Sequence, residues 1–152
     1  MPNHCFNDIS ITGPSSELEK FWEGLSKYNG EYSILRSYVP MPEELENTRA
    51  YSEPVNWHSW AMENWGSKWG DYDVDINFDE TEISGLYCSA WGPCNEGILN
   101  VSALFPDLTF CVDYREDGVG FIGRQVCNNG EEIEAWSRDL NEDEINELVY
   151  ED

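Results

Sequence analysis

Residues 71–79, with the sequence DYDVDINFD, alternate polar and apolar side chains over their whole length. Because neighbouring side chains of a β-strand point to opposite faces, this alternation predicts a strand with one buried and one exposed face. The buried face would hold Tyr72, Val74, Ile76 and Phe78. The exposed face would carry a straight row of carboxylates, formed by Asp71, Asp73, Asp75 and Asp79. Aspartate is a poor strand former and like charges repel, so a neutral polar face would be easier to fold.

The rest of the chain is predicted to be a succession of strands and helices. Apolar residues three and four positions apart, after capping serines, predict a helix over 15–29 that ends at Gly30. An Asp117-Gly118 pair between two alternating segments predicts a β-hairpin. The predicted strands are 4–12, 31–39, 71–79, 82–91, 108–117 and 120–128, with a short strand near 131–137. The predicted helices are 15–29, a short one within 43–70, about 94–104, and 141–152.

This order of elements predicts an α+β fold, a ferredoxin-like split βαβ sandwich, once an aromatic-rich insert at about 41–70 is set aside. Helices would cover one face of an antiparallel sheet, and the other face would stay open to water or to a partner. The length of 152 residues fits a single domain over residues 1–152, with an acidic C-terminal extension and helix at about 128–152.

Charge is the most unusual property of the composition. The chain has 31 acidic and 8 basic residues, a formal net charge of −23. Residues 71–152 alone hold 21 of the acidic and 3 of the basic residues. A surface of this kind repels nucleic acids and anionic membranes, so direct binding to either is not expected. It attracts basic protein surfaces, including those that normally hold nucleic acid.

Cysteine usage indicates the compartment. There are five cysteines, an odd number, and residues 1–25 lack the pattern of a signal peptide. We therefore expect free thiols in a reducing cytoplasm. No apolar run approaches the ~20 residues that a membrane-spanning helix needs.

Four blocks of the sequence resemble the YubB-type ferredoxin-like domain family of phages, plasmids and bacterial genomes. They are MPNHCFNDISITG at the start, VPMPEEL (39–45), NWGSKWGDYDV (64–74) and AWGPCNEGILNVSALFPDLTFCVDYREDGVGFIG (90–123), in the family's order. The resemblance spans roughly residues 1–127. His4 stands where the family has an aromatic residue, and Cys94 stands where a second proline is usual. The resemblance implies a ferredoxin-like fold, a mobile-element origin and a bacterial host, and it implies no established catalytic activity.

The aspartate row and the acidic C-terminal segment predict a binding surface. Alternate strand residues lie ~6.6–6.8 Å apart, a spacing of the same order as that of DNA phosphates, one per ~3.4 Å of each strand. We therefore expect a nucleic-acid mimic that blocks a basic DNA- or RNA-binding defence protein of the host, as an anti-CRISPR or anti-restriction inhibitor does. The residues expected to contact that partner are Asp71, Asp73, Asp75, Asp79, Glu80, Glu82, Glu142, Asp143, Glu144 and Glu147.

Two alternatives stay open. In one, the chain is a structural or regulatory module whose charge only keeps it soluble, and it binds a protein through the open sheet face or the aromatic insert. In the other, it is a metal-dependent or hydrolytic enzyme, but the sequence has none of the familiar catalytic motifs. The spacing of acidic residues over 71–82 imitates a calcium loop, although Ile76 stands where that loop needs glycine. No catalytic residue, metal or cofactor is predicted.

Five of the seven tryptophans lie between residues 57 and 91, four of them in the insert. They are Trp57, Trp60, Trp65, Trp69 and Trp91. Exposed aromatic rings stack on bases in single-strand binders, but those proteins also need a basic groove. Only Lys68 and Arg49 are basic in this part of the sequence, so we expect the tryptophans to pack the core of the insert.

Overall fold

The computed structural model describes residues 3–50 and 52–150, with the side chains of all of these except 148–150. The strands are β1 (His4–Thr12), β2 (Ser26–Tyr28), β3 (Glu31–Ser33), β4 (Tyr72–Phe78), β5 (Glu82–Ala90), β6 (Thr109–Glu116), β7 (Phe121–Asn128) and β8 (Glu131–Asp139). The α-helices are α1 (Ser15–Glu23), α2 (Ile34–Tyr38), α3 (Trp57–Asn64), α4 (Asn95–Leu104) and α5 (Glu142–Tyr150).

Six strands form one sheet in the order β4-β5-β1-β6-β7-β8, and β2 and β3 form a separate hairpin. Every neighbouring pair in the large sheet is antiparallel, so β4 and β1 run in the same direction with β5 between them. The predicted α+β class, with an antiparallel sheet and helices, is confirmed. The sheet is larger than the four strands of a ferredoxin-like sandwich.

The core lies on one face of the sheet. Ile9 and Ile11 of β1 and Phe110 of β6 point to this face and are fully buried. They belong to the same buried cluster as Phe21 of α1 and Val101 of α4. The rings of Phe21 and Phe110 pack edge-on with 5.7 Å between their centroids. The alternating pattern of the strands and the apolar side of α1 thus meet as the sequence predicts.

The predicted strand over 31–39 is wrong, because the chain is extended only in β3 and then turns into α2. The hydroxyl of Ser33 caps this helix by accepting a hydrogen bond from the backbone three residues later, at 3.1 Å. The carboxylate of Asp71 accepts from the backbone N–H groups of Ile34 (2.7 Å) and Leu35 (3.3 Å). A residue far along the chain therefore stabilises the start of a helix where local β-propensity favours a strand.

The predicted helix over 15–29 ends early, at Glu23. The chain continues into the β2–β3 hairpin, whose two turn residues are Asn29 (φ 55°) and Gly30 (φ 86°). An Asn-Gly pair with positive φ at both positions is the preferred two-residue hairpin turn. The prediction that Gly30 ends a helix is therefore wrong, because Gly30 completes a turn between two strands.

β8 is longer than the short strand predicted near 131–137 and forms one edge of the sheet. All of its residues are exposed, so this strand is solvated on both faces. Its pairing with β7 shifts register at Val126 and Cys127. After β8, the buried Leu140 donates its N–H to the carbonyl of Gly120 at 2.8 Å, which attaches the chain to the sheet before α5 begins.

The insert packs two of its tryptophans as expected. Trp65 is fully buried and its Nε1 donates to the carbonyl of Val39 at 2.8 Å. Trp60 packs edge-on against it, with 5.1 Å between ring centroids. Core packing is therefore confirmed for these two, but Trp69 and Trp91 are 39% and 49% exposed.

Candidate functional site

The predicted row of aspartates is broken at its first member, Asp71. Its carboxylate is 6% exposed and accepts hydrogen bonds from the hydroxyl of Ser33 (2.7 Å) and from two backbone N–H groups of α2. Burial raises the pKa of Asp71, although these hydrogen bonds act in the opposite direction by stabilising the charged form. The prediction that Asp71 lies on an exposed binding face is therefore wrong.

A β-bulge displaces Asp73 from the row. The pairing of β4 with β5 shifts register between Tyr72 and Asp75, and Asp73 has φ 51°. Aspartate is among the residues that adopt this left-handed conformation most readily, which explains its presence at the bulge. After the bulge, Val74 is half-buried and Asp75 lies directly opposite Leu86 of β5. The strict alternation predicted from the sequence is interrupted at this point.

Asp79 and Glu80 lie in the turn between β4 and β5. Asp79 Oδ1 accepts from the N–H (3.0 Å) and hydroxyl (2.8 Å) of Thr81 and from the N–H of Glu82 (2.9 Å). These hydrogen bonds lower the pKa of Asp79 and hold the turn. Glu82 is half-buried and accepts from the hydroxyl of Ser10 at 2.8 Å. The exposed members of this first group are Asp73, Asp75, Asp79 and Glu80.

The second predicted group lies on α5, where one member has an internal role. The carboxylate of Glu144 accepts from the N–H of Asn141 (3.0 Å), while the Asn141 side chain accepts from the N–H of Glu144 (2.9 Å). This reciprocal pair is a capping box at the helix start. Arg138 donates two further hydrogen bonds to Glu144, at 2.8 and 3.1 Å, and lowers its pKa to about 2. The exposed members of this group are Glu142, Asp143 and Glu147.

The two acidic groups lie at opposite edges of the sheet. β4 is one edge and β8, which leads into α5, is the other, with four strands between them. At ~4.8 Å per strand, about 24 Å separates the two edges. We call the acidic side chains of β8 and α5 the C-terminal acidic edge; they are Glu131, Glu132, Glu134, Asp139, Glu142, Asp143, Glu144 and Glu147. The exposed carboxylates therefore do not form a single line with the spacing of DNA phosphates.

Between the edges, the sheet face opposite the core carries exposed side chains, and we call it the open face. Strand register places its residues side by side in rows that cross the whole sheet. One row consists of Asp75, Leu86, Asp8, Asp113, Arg124 and Trp136. The next row consists of Tyr72, Cys88, Phe6, Arg115, Ile122 and Arg138.

Four apolar side chains of the open face line one groove of about 490 Å³. They are Phe6, Leu86, Ile122 and Trp136. Phe6, Leu86 and Trp136 are 47%, 58% and 44% exposed. This groove was not predicted from the sequence. A signal was present, since Phe6 and Leu86 stand at outward positions of alternating strands, where a polar residue is usual.

Basic residues of the open face are neutralised by carboxylates. Arg124 donates to both oxygens of Asp113, at 3.0 and 3.1 Å, and its Nε lies 3.2 Å from Glu134. Arg115 Nε lies 2.8 Å from Asp117. The apolar groove is thus surrounded by paired charges, whereas exposed carboxylates dominate the two edges.

His4 and Cys5 do not form a catalytic pair. His4 is exposed on the open face, where its ring packs edge-on against Tyr72 (5.7 Å between centroids) and its Nδ1 lies 2.6 Å from the Tyr72 hydroxyl. Cys5 points to the core, and burial raises its pKa to about 12. Among the residues that the structure describes, no three His, Cys, Asp or Glu side chains are grouped so as to hold a metal ion. None of the helices in the described ranges has the length and apolar content that crossing a membrane requires.

Comparison with known proteins adds evidence on the fold. No protein-family model matches this sequence, and no curated protein matches it significantly. A solved structure, the protein api92 from Yersinia pseudotuberculosis of the family DUF1281, is similar with a TM-score of 0.68 at 10% sequence identity. The similarity covers 93% of this chain and 99% of that protein. At this identity, the likeness shows a shared fold and carries no statement about activity.

Proposed function

We propose that this chain is a non-enzymatic, acidic protein-binding module that docks a basic partner protein through the open face. The observation that carries the proposal is the groove between Phe6, Leu86 and Trp136, whose exposed apolar side chains have no role in the core. An apolar centre with a polar rim is the usual anatomy of a protein–protein interface, and exposed apolar patches mark such sites.

The charge of the chain specifies the partner. Acidic edges on both sides of the groove, in a chain of net charge −23, favour a partner with apolar side chains surrounded by Lys and Arg. Complementary charge speeds encounter and selects against acidic proteins, while the apolar contacts supply most of the affinity. We therefore expect association to slow with added salt and dissociation to depend on the groove.

The same proposal includes a finer assignment of the fold. The order β4-β5-β1-β6, with β1 and β4 in the same direction and α1 and α4 as the connecting helices, supports a ferredoxin-like split βαβ unit that β7 and β8 extend. The sequence blocks that resemble the YubB-type family support a mobile-element origin and action in the cytoplasm of a bacterial host.

A second candidate function is the nucleic-acid mimic. The observation that favours it is the C-terminal acidic edge, where Arg138 is the only basic residue within 131–152 and is already bound to Glu144. Such an edge would compete with DNA or RNA for the basic site of a defence nuclease, as in an anti-CRISPR or anti-restriction inhibitor. In this case the carboxylates, and not the apolar groove, would supply the affinity.

One binding experiment separates the two functions. The partner is captured from bacterial lysate with the tagged chain, identified, purified and titrated with three variants. Leu86→Ser tests the groove, a Glu142→Gln, Asp143→Asn, Glu147→Gln triple variant tests the acidic edge, and Val55→Ser is the control. Val55 is 69% exposed and lies in the insert, away from the open face.

For the docking module, Leu86→Ser weakens affinity by roughly 2 kcal/mol, or about 30-fold, as expected for the centre of an interface. The triple variant then mainly slows association, and Val55→Ser has no effect. The mimic predicts the reverse order and release of the chain by competing DNA or RNA. Equal affinity of Leu86→Ser and Val55→Ser would exclude docking through the groove.

A further inference from the structure

A recess lies beyond β4, between the β2–β3 hairpin, α2 and the segment after α3. It has a volume of about 390 Å³, and we call it the aromatic cleft. Its principal lining residues are Tyr28, Arg36, Glu46, Trp57, Lys68 and Trp69. An adjoining space of about 270 Å³ shares three of them, Tyr28, Arg36 and Trp69. The cleft is separate from the groove of the open face, with which it has no lining residue in common.

Two cations that form no ion pair line the aromatic cleft. In a chain with 31 acidic and 8 basic residues, most cations are expected to find an acidic partner. Lys20, Arg115, Arg124 and Arg138 do form ion pairs. Within residues 3–50 and 52–150, neither Arg36 nor Lys68 does so. Lys27 and Arg49 form no ion pair in these ranges either, but only Arg36 and Lys68 line the cleft, together with the carboxylate of Glu46.

Aromatic rings hold these two cations in place. The guanidinium of Arg36 lies 5.0 Å from the ring centroid of the buried Trp65. The Nζ of Lys68 lies 4.3 Å from the ring centroid of Trp69. Both distances are within the range of cation–π attraction. This arrangement positions positive charge without a counter-ion, which leaves each cation able to bind an anion.

The cleft also presents ring surface and a hydrogen-bond acceptor. Trp69 is 39% exposed and Tyr28 is 40% exposed, so both offer ring area to a ligand. A flat aromatic ligand gains ~1–3 kcal/mol by stacking on such a ring. The exposed carboxylate of Glu46 accepts hydrogen bonds from hydroxyl or amino groups. A matching ligand has a planar ring, an anionic group and hydrogen-bond donors.

We infer that the aromatic cleft binds a free mononucleotide. The base stacks against Tyr28 and Trp69, the phosphate lies between Arg36 and Lys68, and a ribose hydroxyl or exocyclic amine donates to Glu46. A longer nucleic acid fits less well, because its outer phosphates would face the acidic surface of the protein. At physiological salt, fields are screened over ~8 Å, so the distant acidic edges act weakly inside the cleft, where the lining charges are Arg36, Lys68 and Glu46. In sequence only Lys68 and Arg49 are basic near these tryptophans; in the structure α2 adds Arg36.

Titration calorimetry tests this inference with AMP, GMP, CMP and UMP at physiological salt. The comparison ligands are the nucleosides, ribose 5-phosphate and inorganic phosphate. We expect at least one mononucleotide to bind roughly tenfold more tightly than either its nucleoside or ribose 5-phosphate, because stacking and charge act together. The indole N–H resonance of Trp69, assigned with Trp69→Phe, should shift on binding.

Variants test the assignment of each part of the ligand. Lys68→Gln should weaken the mononucleotide about tenfold and leave nucleoside binding unchanged, because it removes only the phosphate contact. Arg36→Gln should act in the same way, and urea unfolding monitors its fold because Arg36 packs on Trp65. Lys20→Gln is the matched control, since it removes the same charge from α1, far from the cleft in sequence and paired with Glu17.

Three results would overturn the inference. The first is no binding of any mononucleotide at low millimolar concentration by the wild-type chain. The second is equal binding of inorganic phosphate and mononucleotide with an unmoved Trp69 resonance, which would indicate an adventitious ion only. The third is tighter binding of a single-stranded oligonucleotide than of the mononucleotide.

Discussion

The hydroxyl of Ser33 donates a 2.7 Å hydrogen bond to the carboxylate of Asp71, which lies 38 residues further along the chain. This bond joins the start of α2 to the residue that precedes β4. Four aspartates that look equivalent in sequence therefore have different roles. Asp71 is a buried acceptor, Asp73 occupies a bulge, Asp75 lies on the open face and Asp79 holds a turn.

Asp71→Asn should destabilise the protein by about 1–3 kcal/mol, because one carboxylate oxygen becomes an amide N–H that faces buried donors. Asp75→Asn, an exposed change of the same kind in the same segment, should stay within about 0.5 kcal/mol of the wild type. Urea unfolding followed by circular dichroism measures both. Equal stability of the two variants would mean that the Asp71 carboxylate does not anchor α2.

Asp73→Val should cost about 1–2 kcal/mol, because a β-branched side chain is strained at φ 51°. Asp73→Gly should be close to neutral, since glycine adopts this conformation freely. Asn77→Val is the control, because Asn77 is exposed in the regular part of β4, opposite Ser84. If Asp73→Val and Asn77→Val both left the stability unchanged, the left-handed conformation at the bulge would be contradicted.

Glu144→Gln should weaken the attachment of α5 in a pH-dependent way. The pKa of Glu144 is lowered from 4.5 to about 2 in the folded protein, so its stabilising effect is present above 4.5. The effect is lost as the pH falls from 4.5 through about 2. The stability difference between wild type and variant should therefore shrink over this range, as followed by urea unfolding and hydrogen exchange of α5.

Glu147→Gln provides the comparison for that experiment. Within the described part of the chain, Glu147 forms neither an ion pair nor a side-chain hydrogen bond, so its loss should change stability little near neutral pH. If Glu147→Gln destabilised α5 as much as Glu144→Gln, the capping box and Arg138 would not be the cause.

Cysteine labelling should report which face of the sheet is open. Cys88 and Cys111 are half-buried and lie on the open face, Cys88 opposite Phe6 and Cys111 opposite Ser10, whereas Cys5, Cys94 and Cys127 are buried. Burial raises the pKa of Cys5 and Cys127 to about 12 and that of Cys94 well above its usual value. N-ethylmaleimide at mildly alkaline pH should modify Cys88 and Cys111 first, as peptide mass spectrometry would show.

The other three cysteines should react only after unfolding in urea, because both access and thiolate formation are blocked in the fold. If Cys5 were labelled in the native protein as fast as Cys111, Cys5 could not lie on the buried core face with Cys111 on the open face. A bound partner should protect Cys111, which lies beside Asp113 on the open face, and leave urea-induced labelling unchanged.

Much of the fold follows from local patterns. The predicted strands 4–12, 82–91, 108–117 and 120–128 agree with β1, β5, β6 and β7 to within one residue at each end. Alternation is reliable there because these strands bury one face against helices. The strand predicted over 31–39 was wrong, because the hydrogen bond that stabilises the start of α2 comes from Asp71, which is distant in sequence.

The candidate sites were less predictable than the fold. Exposed positions on an alternating strand are known from sequence, but a bulge at Asp73 changes which residues share a face. The groove required strand order, since Leu86 and Trp136 come from β5 and β8 and meet only across the sheet. The aromatic cleft required the packing of α2, which brings Arg36 into the same cleft as Lys68.

The sequence by itself determined the α+β class, the long strands, the free cysteines and the excess of negative charge, because composition and periodicity act through neighbours in the chain. Only the tertiary structure decided which carboxylates are exposed, where they stand relative to one another and which cations form ion pairs. These properties depend on contacts such as Ser33 with Asp71 and on strand order, in which residues far apart in sequence become neighbours.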